Sequence, residues 1–406
     1  MTESYTAYSA LEIVPLDGDR LELRAPLFGT RLEATRYQVG LLRRFEQRAT
    51  LAEVLERLPF ERESSARFLA ACVEASILLP LDGRDELRLP ARSRAEPTLL
   101  GAPHFDPARP AAFTFLGVPW DGGATGHGGG RFGPGAIRSA GAEVRYQLDP
   151  ETLRPRGFLD FASGDTLLRG ITLADAGDLL ISPGEPAERV HRRLAEEVAA
   201  IVRSGSIPLA LGGDHSITLP VLRAIPPRRL GVVHLDAHTD LGDQAPGAGL
   251  HHANVMRLAL DELGHLEGLW QAGLRGLVEA TDDQCHERAV AFGIDRLRAG
   301  GPSAFVDALP ADLSYYVSID IDALDPLFAP STGTPVPGGL WPHEAKALVR
   351  AIAEARPVVA ADVVEVGAQS SLHDNTAHHA LELLLTLADA TVRRLNAHLD
   401  RAETGG

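Results

Sequence analysis

Three short runs of histidine and aspartate, each beside an apolar segment, place the strongest constraint on this chain. They are Gly213-Asp214-His215-Ser216, Asp236-Ala237-His238-Thr239-Asp240 and Ser318-Ile319-Asp320-Ile321-Asp322. The apolar residues 232–235 and 315–319 have the character of buried strands. Because alternate side chains of a strand point to the same face, each run can direct its polar groups at one point beyond a strand end.

The residue types in these runs are those of a metal site. The candidate ligands are two imidazoles and four carboxylates: His215, Asp236, His238, Asp240, Asp320 and Asp322. Oxygen and nitrogen ligands without a thiolate suit a hard or borderline divalent ion, above all Mn²⁺. Six ligands exceed the need of one ion with open positions, whereas two ions that share bridging carboxylates use this number to activate water. We therefore predict two Mn²⁺ per chain.

The three runs resemble, in this order, the signatures of the ureohydrolases, the family of arginases and agmatinases. Four further stretches are similar to the amino-terminal substrate loop and to later landmarks of that family: 116–121, 130–138, 332–339 and 364–366. The resemblance covers roughly residues 110 to 400. It implies a three-layer α/β/α fold and a hydrolase that releases urea from a guanidino compound.

The resemblance also implies how the ligands are shared. One ion would be held by His215, Asp236, Asp240 and Asp320, and the other by Asp236, His238, Asp320 and Asp322. Asp236 and Asp320 would then bridge, which offsets the repulsion between two nearby cations. Such a pair of ions lowers the pKa of a shared water, so that hydroxide is supplied near neutral pH.

Three residues are implied in the chemistry itself. Asp240 would also orient the hydroxide by hydrogen bonding. Glu365 matches the family glutamate that pairs with the substrate guanidinium, and a bidentate contact would fix the reacting carbon. His252 matches the family's proton-shuttle histidine, a role that suits a group titrating near neutral pH. His251 competes for this role, because the adjacent pair leaves the register open by one.

The substrate is constrained by the loop between the third ligand and the shuttle. Arginases acting on free arginine have asparagine and serine there to grip the α-carboxylate, and residues 241–250 contain neither. Asp243 in this loop would repel a carboxylate. Thr334 is a further candidate substrate contact, and His127 either lines the pocket or is exposed. Agmatine, another guanidino compound or arginine within a peptide fits better than free arginine.

Residues 1–95 predict a separate small domain. Its signals are a hairpin around 16–19, a helix at 33–45, a capping box from Thr50 to Glu53 that opens a helix at 51–58, a third helix capped at 64–65, and an apolar strand at 77–79. This is a winged-helix layout. It resembles the precursor-recognition elements of ribosomal peptide biosynthesis, which bind a leader peptide as an added edge strand.

Two other interpretations of residues 1–95 stay open: an accessory domain for folding or oligomerisation, and a DNA-binding domain. The second is disfavoured because acidic and basic residues nearly balance and no basic recognition helix is present. The peptide-recognition interpretation predicts that the enzyme converts arginine in a precursor peptide to ornithine and urea. The alternatives are an agmatinase-like enzyme with a structural amino-terminal domain and a non-catalytic binding protein on the same scaffold.

Beyond residue 110 the pattern alternates strands with helices, which is typical of a mainly parallel sheet covered on both faces. The predicted strands are 113–118, 175–181, 207–211, 231–235, 290–294, 315–319 and 358–364, and the predicted helices are 191–203, 343–355 and 377–398. We therefore expect a winged-helix-like domain at 1–95, a linker at 96–110 and an arginase-like α/β/α catalytic domain at 111–406.

Composition bounds the partners and the compartment. The net charge of −16 argues against nucleic acid or an anionic membrane as the main partner. Two cysteines are too few for a disulfide framework. No apolar run reaches membrane-spanning length, and the amino terminus lacks the basic and apolar regions of a signal peptide. These features predict a cytoplasmic protein, and the family resemblance implies a homo-oligomer, either a trimer or a hexamer.

Overall fold

A computed structural model describes most of the chain and divides it into two compact units, Met1–Glu96 and Pro97–Gly406. The described residues are 4–7, 12–25, 30–45, 49–58, 62–75, 77–81, 92–93, 97–226, 228–242, 249–278, 284–367 and 374–404. The predicted α/β fold with a parallel sheet is confirmed for the second unit.

The described part of the amino-terminal unit contains short antiparallel sheets and three helices. The strands of these sheets are β1 (Ser4–Ala7), β2 (Glu12–Pro15), β3 (Arg20–Ala25), β4 (Thr30–Thr35), β5 (Ala49–Thr50) and β6 (Leu78–Leu81). A further two-residue strand, β7 (Arg92–Ser93), belongs to neither of them. Its helices are α1 (Arg36–Leu42), α2 (Leu51–Glu56) and α3 (Arg62–Glu74). Strands β2, β3 and β4 form a meander, and β1 lies between β5 and β6.

Local sequence explains where α1 and α2 begin. The predicted capping box is present, since the hydroxyl of Thr50 accepts the backbone N–H of Glu53 and the carboxylate of Glu53 accepts that of Thr50. The helix expected at 33–45 begins only at Arg36, because residues 30–35 pair with β3 as a third strand. The hairpin predicted around residues 16–19 is present, and β4 extends it to a three-stranded meander.

The second unit is organised around eight parallel strands. Their bounds are β8 (Phe113–Gly117), β11 (Leu173–Leu179), β12 (Ile207–Leu211), β13 (Leu230–Leu235), β14 (Leu266–Leu274), β15 (Ala289–Gly293), β16 (Ser314–Asp320) and β17 (Val358–Val364). Their spatial order is β15-β14-β13-β16-β17-β12-β8-β11. A separate antiparallel pair consists of β9 (Phe158–Leu159) and β10 (Thr166–Leu167).

Helices pack on both faces of this sheet. They are α4 (Gly133–Ala140), α5 (Ala187–Arg203), α6 (Thr218–Ala224), α7 (Val255–Glu262), α8 (Ile294–Asp307), α9 (Pro342–Ala355) and α10 (Thr376–Thr404). Val233 of β13 belongs to one buried cluster with Leu348 of α9. Its neighbour Val232 belongs to a second cluster with Val198 of α5. Adjacent residues of the strand therefore pack on opposite faces of the sheet, which makes the unit a three-layer α/β/α structure.

Residues 97–110 do not behave as the linker that was expected at 96–110. Leu99 and Leu100 are buried in the core of the second unit. The backbone N–H of Leu99 donates to the carboxylate of Asp175 in β11 at 2.7 Å. The proline and arginine content that suggested a linker therefore covers the start of the second unit as well.

Arg138 of α4 forms a buried ion pair with Asp175. Its Nε and Nη2 donate to the two carboxylate oxygens at 2.8 and 2.9 Å. Arg138→Ala should lower the free energy of unfolding by about 3–5 kcal/mol, because it leaves a buried carboxylate without its cation. Denaturant unfolding followed by circular dichroism measures this loss. Arg229→Ala, which removes exposed ion pairs, is the control and should change little; equal effects in both variants would contradict the assignment.

Candidate metal centre and active site

The three sequence runs meet at one edge of the sheet. Strands β13, β16, β17 and β12 are neighbours, and their carboxyl ends lie at the same edge. Asp236 follows β13 directly, Asp320 ends β16, His215 follows β12, and Glu365 follows β17. Sequence segments far apart in the chain thus contribute side chains to one site.

The first group of candidate ligands surrounds the imidazole of His215. Its Nδ1 lies 2.9 Å from Oδ2 of Asp240. Oδ2 of Asp236 and Oδ2 of Asp320 each lie 3.3 Å from the same nitrogen. This nitrogen is buried and makes no hydrogen bond within the described part of the chain. A buried nitrogen that has no hydrogen-bond partner and is surrounded by carboxylates could be satisfied by a cation that it shares with them.

The second group surrounds His238. Its Nδ1 lies 3.0 Å from Oδ2 of Asp322 and 3.3 Å from Oδ1 of Asp236. Asp236 therefore presents Oδ2 to the first group and Oδ1 to the second. This is the geometry required of a carboxylate that bridges two ions.

The charges of the cluster also fit a cation site. Burial and the charge of Asp236 raise the pKa of Asp322 to about 6. Burial and the neighbouring carboxylates hold the pKa of Asp320 well above its usual range. Burial alone would lower the pKa of His238, but the carboxylates of Asp236 and Asp322 raise it to about 11. Divalent cations would relieve this crowding of buried carboxylates, and the mixed oxygen and nitrogen donors suit Mn²⁺.

Two polar side chains that the sequence analysis missed hold Asp236. Nε2 of His234 lies 2.7 Å from Oδ2 of Asp236, and Nε2 of Gln271 lies 3.0 Å from Nδ1 of His234. His234 and Gln271 are buried on β13 and β14. Both are polar residues in otherwise apolar strands, and this sequence feature could have identified them as parts of the site.

A second series of hydrogen bonds orients the imidazole of His215. Its Nε2 lies 2.8 Å from Oγ of Ser318, which donates to Oδ1 of Asp362 at 2.7 Å. Thr218 also donates to this buried carboxylate. Contacts of this kind fix the orientation of the imidazole and leave Nδ1 facing the carboxylates.

His252, rather than His251, lies beside Glu365. Nδ1 of His252 is 3.4 Å from Oε1 of Glu365, and that same oxygen accepts the backbone N–H of His215 at 2.9 Å. Burial lowers the pKa of His252, but the Glu365 carboxylate outweighs it and the net pKa is raised. Burial and the nearby His252 lower the pKa of His251. The two adjacent histidines therefore have different environments.

Backbone strain is concentrated at two of these residues. Asp240 and Glu365 have φ angles of 51° and 59°, in the left-handed region that residues other than glycine rarely adopt. Such a conformation costs roughly 1–3 kcal/mol and persists where the surroundings enforce it. The N–H of Glu365 donates to the carbonyl of Gly213 at 2.8 Å, and the carbonyl of Asp240 accepts from Met256 at 3.1 Å.

A cavity of about 470 Å³ opens onto the cluster. Its lining includes His238, Asp240, Asp320, His252 and Thr334. The hydroxyl of Thr334 donates to Oδ2 of Asp322 at 3.3 Å. His127, for which two positions were considered, is exposed and outside this lining. Asp243, the other predicted substrate contact, lies outside the described residues.

Comparison with known proteins identifies the lineage of this site. Residues 111–389 match the model of the arginase family. The chain belongs to the arginase family. It is 35% identical over 282 residues to a mitochondrial guanidino acid hydrolase of Homo sapiens, covering 67% of this chain and 76% of the human one. It is 33% identical over 316 residues to a guanidinopropionase of Pseudomonas aeruginosa, covering 73% and 93%.

Solved structures of the arginase family have the same fold. An agmatinase-like protein from Burkholderia thailandensis aligns with a TM-score of 0.62 and 28% identity, covering 74% of this chain and 91% of that one. Proclavaminate amidinohydrolase from Streptomyces clavuligerus aligns with a TM-score of 0.60 and 30% identity, covering 75% and 100%. The predicted ureohydrolase family and hydrolase class are confirmed.

Among the described residues, no helix combines the length and apolar character needed to cross a membrane.

Proposed function

We propose that this arginase-family enzyme binds two Mn²⁺, releases urea from a guanidino group, and acts on arginine within a peptide to leave ornithine. The observation that carries the hydrolytic part is Asp236, whose two oxygens face two separate histidine-containing groups. The peptide part is supported by the wall of the cavity and by the amino-terminal unit.

The two ions would be held by the residues already named. One set is His215, Asp236, Asp240 and Asp320, and the other is Asp236, His238, Asp320 and Asp322. When bound, such ions supply a water of lowered pKa as the nucleophile. The protein's own contribution is to orient the ligands, which the hydrogen bonds of His234 to Asp236 and of Ser318 to His215 support.

Glu365 and His252 would handle the organic part of the substrate. Glu365 is buried, so its carboxylate is a strong partner for a guanidinium that enters without its hydration shell. His252 lines the cavity and lies against Glu365. It would therefore be within reach of the nitrogen that leaves, and would supply the proton that makes this nitrogen a neutral amine.

The cavity wall disfavours a substrate that carries a carboxylate. Arg275 is the one lysine or arginine in the described lining. All three of its guanidinium nitrogens donate to backbone carbonyls, which belong to Gly273, Asp322, Ala323, Leu324 and Val336. Residues 243–248 and 279–283, which adjoin lining residues in the sequence and lie outside the described part of the chain, contain no lysine or arginine either. A substrate whose far end is neutral or cationic therefore fits better than free arginine or a guanidino acid.

The amino-terminal unit offers a means of binding a peptide. Strand β4 (Thr30–Thr35) is at the end of the meander, and β3 is its one partner among the described strands. A strand of this kind can pair with an extended peptide through backbone hydrogen bonds. Recognition of a leader by a winged-helix-like domain at residues 1–95 is therefore part of the proposal.

Agmatine is the second candidate substrate, because its far end is an amine and presents no carboxylate to this cavity wall. In that case the amino-terminal unit would be structural. Assembly into a trimer or hexamer and a cytoplasmic location also stay predictions.

A series of matched guanidines tests the substrate. The Mn²⁺-loaded full chain should release urea from N-acetyl-arginine N-methylamide and from arginine-containing peptides. It should act poorly on free arginine and 3-guanidinopropionate, since both place a carboxylate against a wall without a free cation. Urea release at equal concentrations, with agmatine as the fifth compound, ranks the classes. A leader-bearing peptide should also show a lower KM than its leaderless form, because tethering raises the effective concentration.

Each outcome has a separate meaning. Turnover of agmatine with inert peptides would overturn the peptide substrate and leave the guanidino hydrolase in place. Efficient hydrolysis of 3-guanidinopropionate would overturn the argument from the cavity wall. Metal binding without urea release from any of these compounds would overturn all of the proposed substrate classes. The Asp236→Ala variant, expected to be inactive, is the background control.

A further inference from the structure

The loop before α4 contacts the Nε2 edge of the His252 ring, the edge opposite the Nδ1 atom that faces Glu365. The backbone N–H of Thr125 donates to Nε2 of His252 at 3.2 Å. The hydroxyl oxygen of Thr125 lies 2.6 Å from the same nitrogen. His252 is therefore held between a carboxylate at Nδ1 and two groups of one residue at Nε2.

This loop is also anchored at Gly123, two residues before Thr125. The N–H of Gly123 donates to Oδ2 of Asp214 at 2.6 Å. The carbonyl of Gly123 accepts the backbone N–H of His252 at 3.1 Å. Asp214 is fully buried, and its other oxygen is bound to Ser216. The position of Thr125 relative to the imidazole is thus fixed by the backbone as well as by its own side chain.

These contacts select the proton-bearing nitrogen. A backbone N–H can only donate, so the neutral imidazole must accept at Nε2 and carry its proton on Nδ1, facing Glu365. A threonine hydroxyl can donate or accept. It therefore satisfies Nε2 in the neutral ring and also accepts from Nε2–H in the imidazolium. Valine has nearly the same shape but could do neither.

We propose that Thr125 is a positioning residue that fixes the tautomer of His252 and supports its imidazolium form. With the Nδ1 proton directed at Glu365, the proton faces the place where the guanidinium would be paired. This inference rests on the proposed function for its catalytic consequence, while the tautomer itself is a property of the protein alone.

The charged groups around His252 come from several elements. Glu365, Asp240 and Asp214 favour its charged form, with Glu365 in direct contact. The ring of His251 lies 6.4 Å away, centroid to centroid. None of these contacts Nε2 as Thr125 does, so removing the Thr125 hydroxyl isolates the effect at that nitrogen.

The test compares Thr125→Val with Thr125→Ser by NMR on metal-free protein labelled with ¹⁵N-histidine, the His252 signals being assigned by their absence in His252→Gln. The neutral ring of the wild type should carry its proton on Nδ1. Thr125→Val should lower the pKa of His252 by about one unit, a tenfold change in proton affinity, whereas Thr125→Ser should retain the wild-type value. In Mn²⁺-loaded protein, kcat should fall about tenfold in the valine variant with KM little changed, and recover in the serine variant.

A neutral His252 with its proton on Nε2, or an unchanged pKa in Thr125→Val, would overturn the inference. A drop in kcat without a change at His252 would mean that Thr125 acts only on loop structure, which also overturns it. If no guanidine is hydrolysed, the proposed function fails, but the NMR comparison still decides the role of Thr125. Circular dichroism and Mn²⁺ content verify that the variants are folded.

Discussion

Asp236→Ala should remove most of the Mn²⁺ from both positions and reduce urea release to background. The expectation follows from geometry, because Oδ2 of Asp236 faces His215 and Oδ1 faces His238. The loss of a ligand that contacts one ion would weaken the binding of that ion alone. Losing a shared carboxylate removes a ligand from each and also the negative charge between them. Elemental analysis of the purified variant, after dialysis against buffer without metal, gives the metal content per chain.

Asp389→Ala is a suitable control for this variant. Asp389 is also a buried carboxylate with hydrogen bonds, to the N–H of Leu168 and to Arg393 of its own helix, and none of these partners is a candidate ligand. Its replacement should leave the metal content unchanged even if stability falls. Two ions retained in Asp236→Ala would refute the bridging role, and loss of one ion would assign Asp236 to a single position.

The α/β architecture could be predicted because local patterns carry it. Strands β12 and β17 have the predicted bounds, β13 begins one residue earlier than predicted, and β16 is longer by one residue at each end. These segments are short apolar runs bounded by polar residues, the pattern of strands buried on both faces. The long helix α10 was likewise foreseen from its apolar periodicity, although it ends six residues later, at Thr404.

Other elements were not visible in the sequence because their local signals conflict with the fold. Strand β14 contains Gly268, Gly273 and the buried Gln271, and such residues weaken a strand prediction. Gly273 has a φ of 105°, which side chains rarely allow, and a Cβ there would lie only 3.0 Å from the backbone oxygen of Asp236. The strand is therefore stabilised by tertiary contacts with β13 and β15, which a local pattern does not reveal.

The site shows the same division between local and long-range information. The six candidate ligands followed from spacing, because Asp236, His238 and Asp240 lie within five consecutive residues. His234, which holds Asp236, is only two residues away, but other supporting partners lie far apart in the chain, as with Asp362, which is 44 residues from Ser318. No periodicity connects such residues, and they become neighbours only because β16 and β17 pair in parallel.

His252→Ala should retain both Mn²⁺ ions, but its kcat should fall about 10²–10⁴-fold, which is the usual contribution of a positioned proton donor. The candidate ligands are untouched by the change, since the described contacts of His252 are with Thr125, Gly123 and Glu365. The amine leaving the guanidinium carbon would then have to take its proton from water. Steady-state urea release, together with metal analysis, separates this loss from metal depletion.

His251→Ala is the matched control, since it removes an adjacent imidazole that the structure does not place against Glu365. It should keep most of the wild-type kcat. The pH profile gives a second check, because the pKa of His252 is raised in the folded protein. The acidic form of His252 should therefore persist to a pH above its ordinary titration range, and that part of the profile should vanish in His252→Ala. A damaging His251→Ala beside a near-normal His252→Ala would move the proton-shuttle assignment to His251.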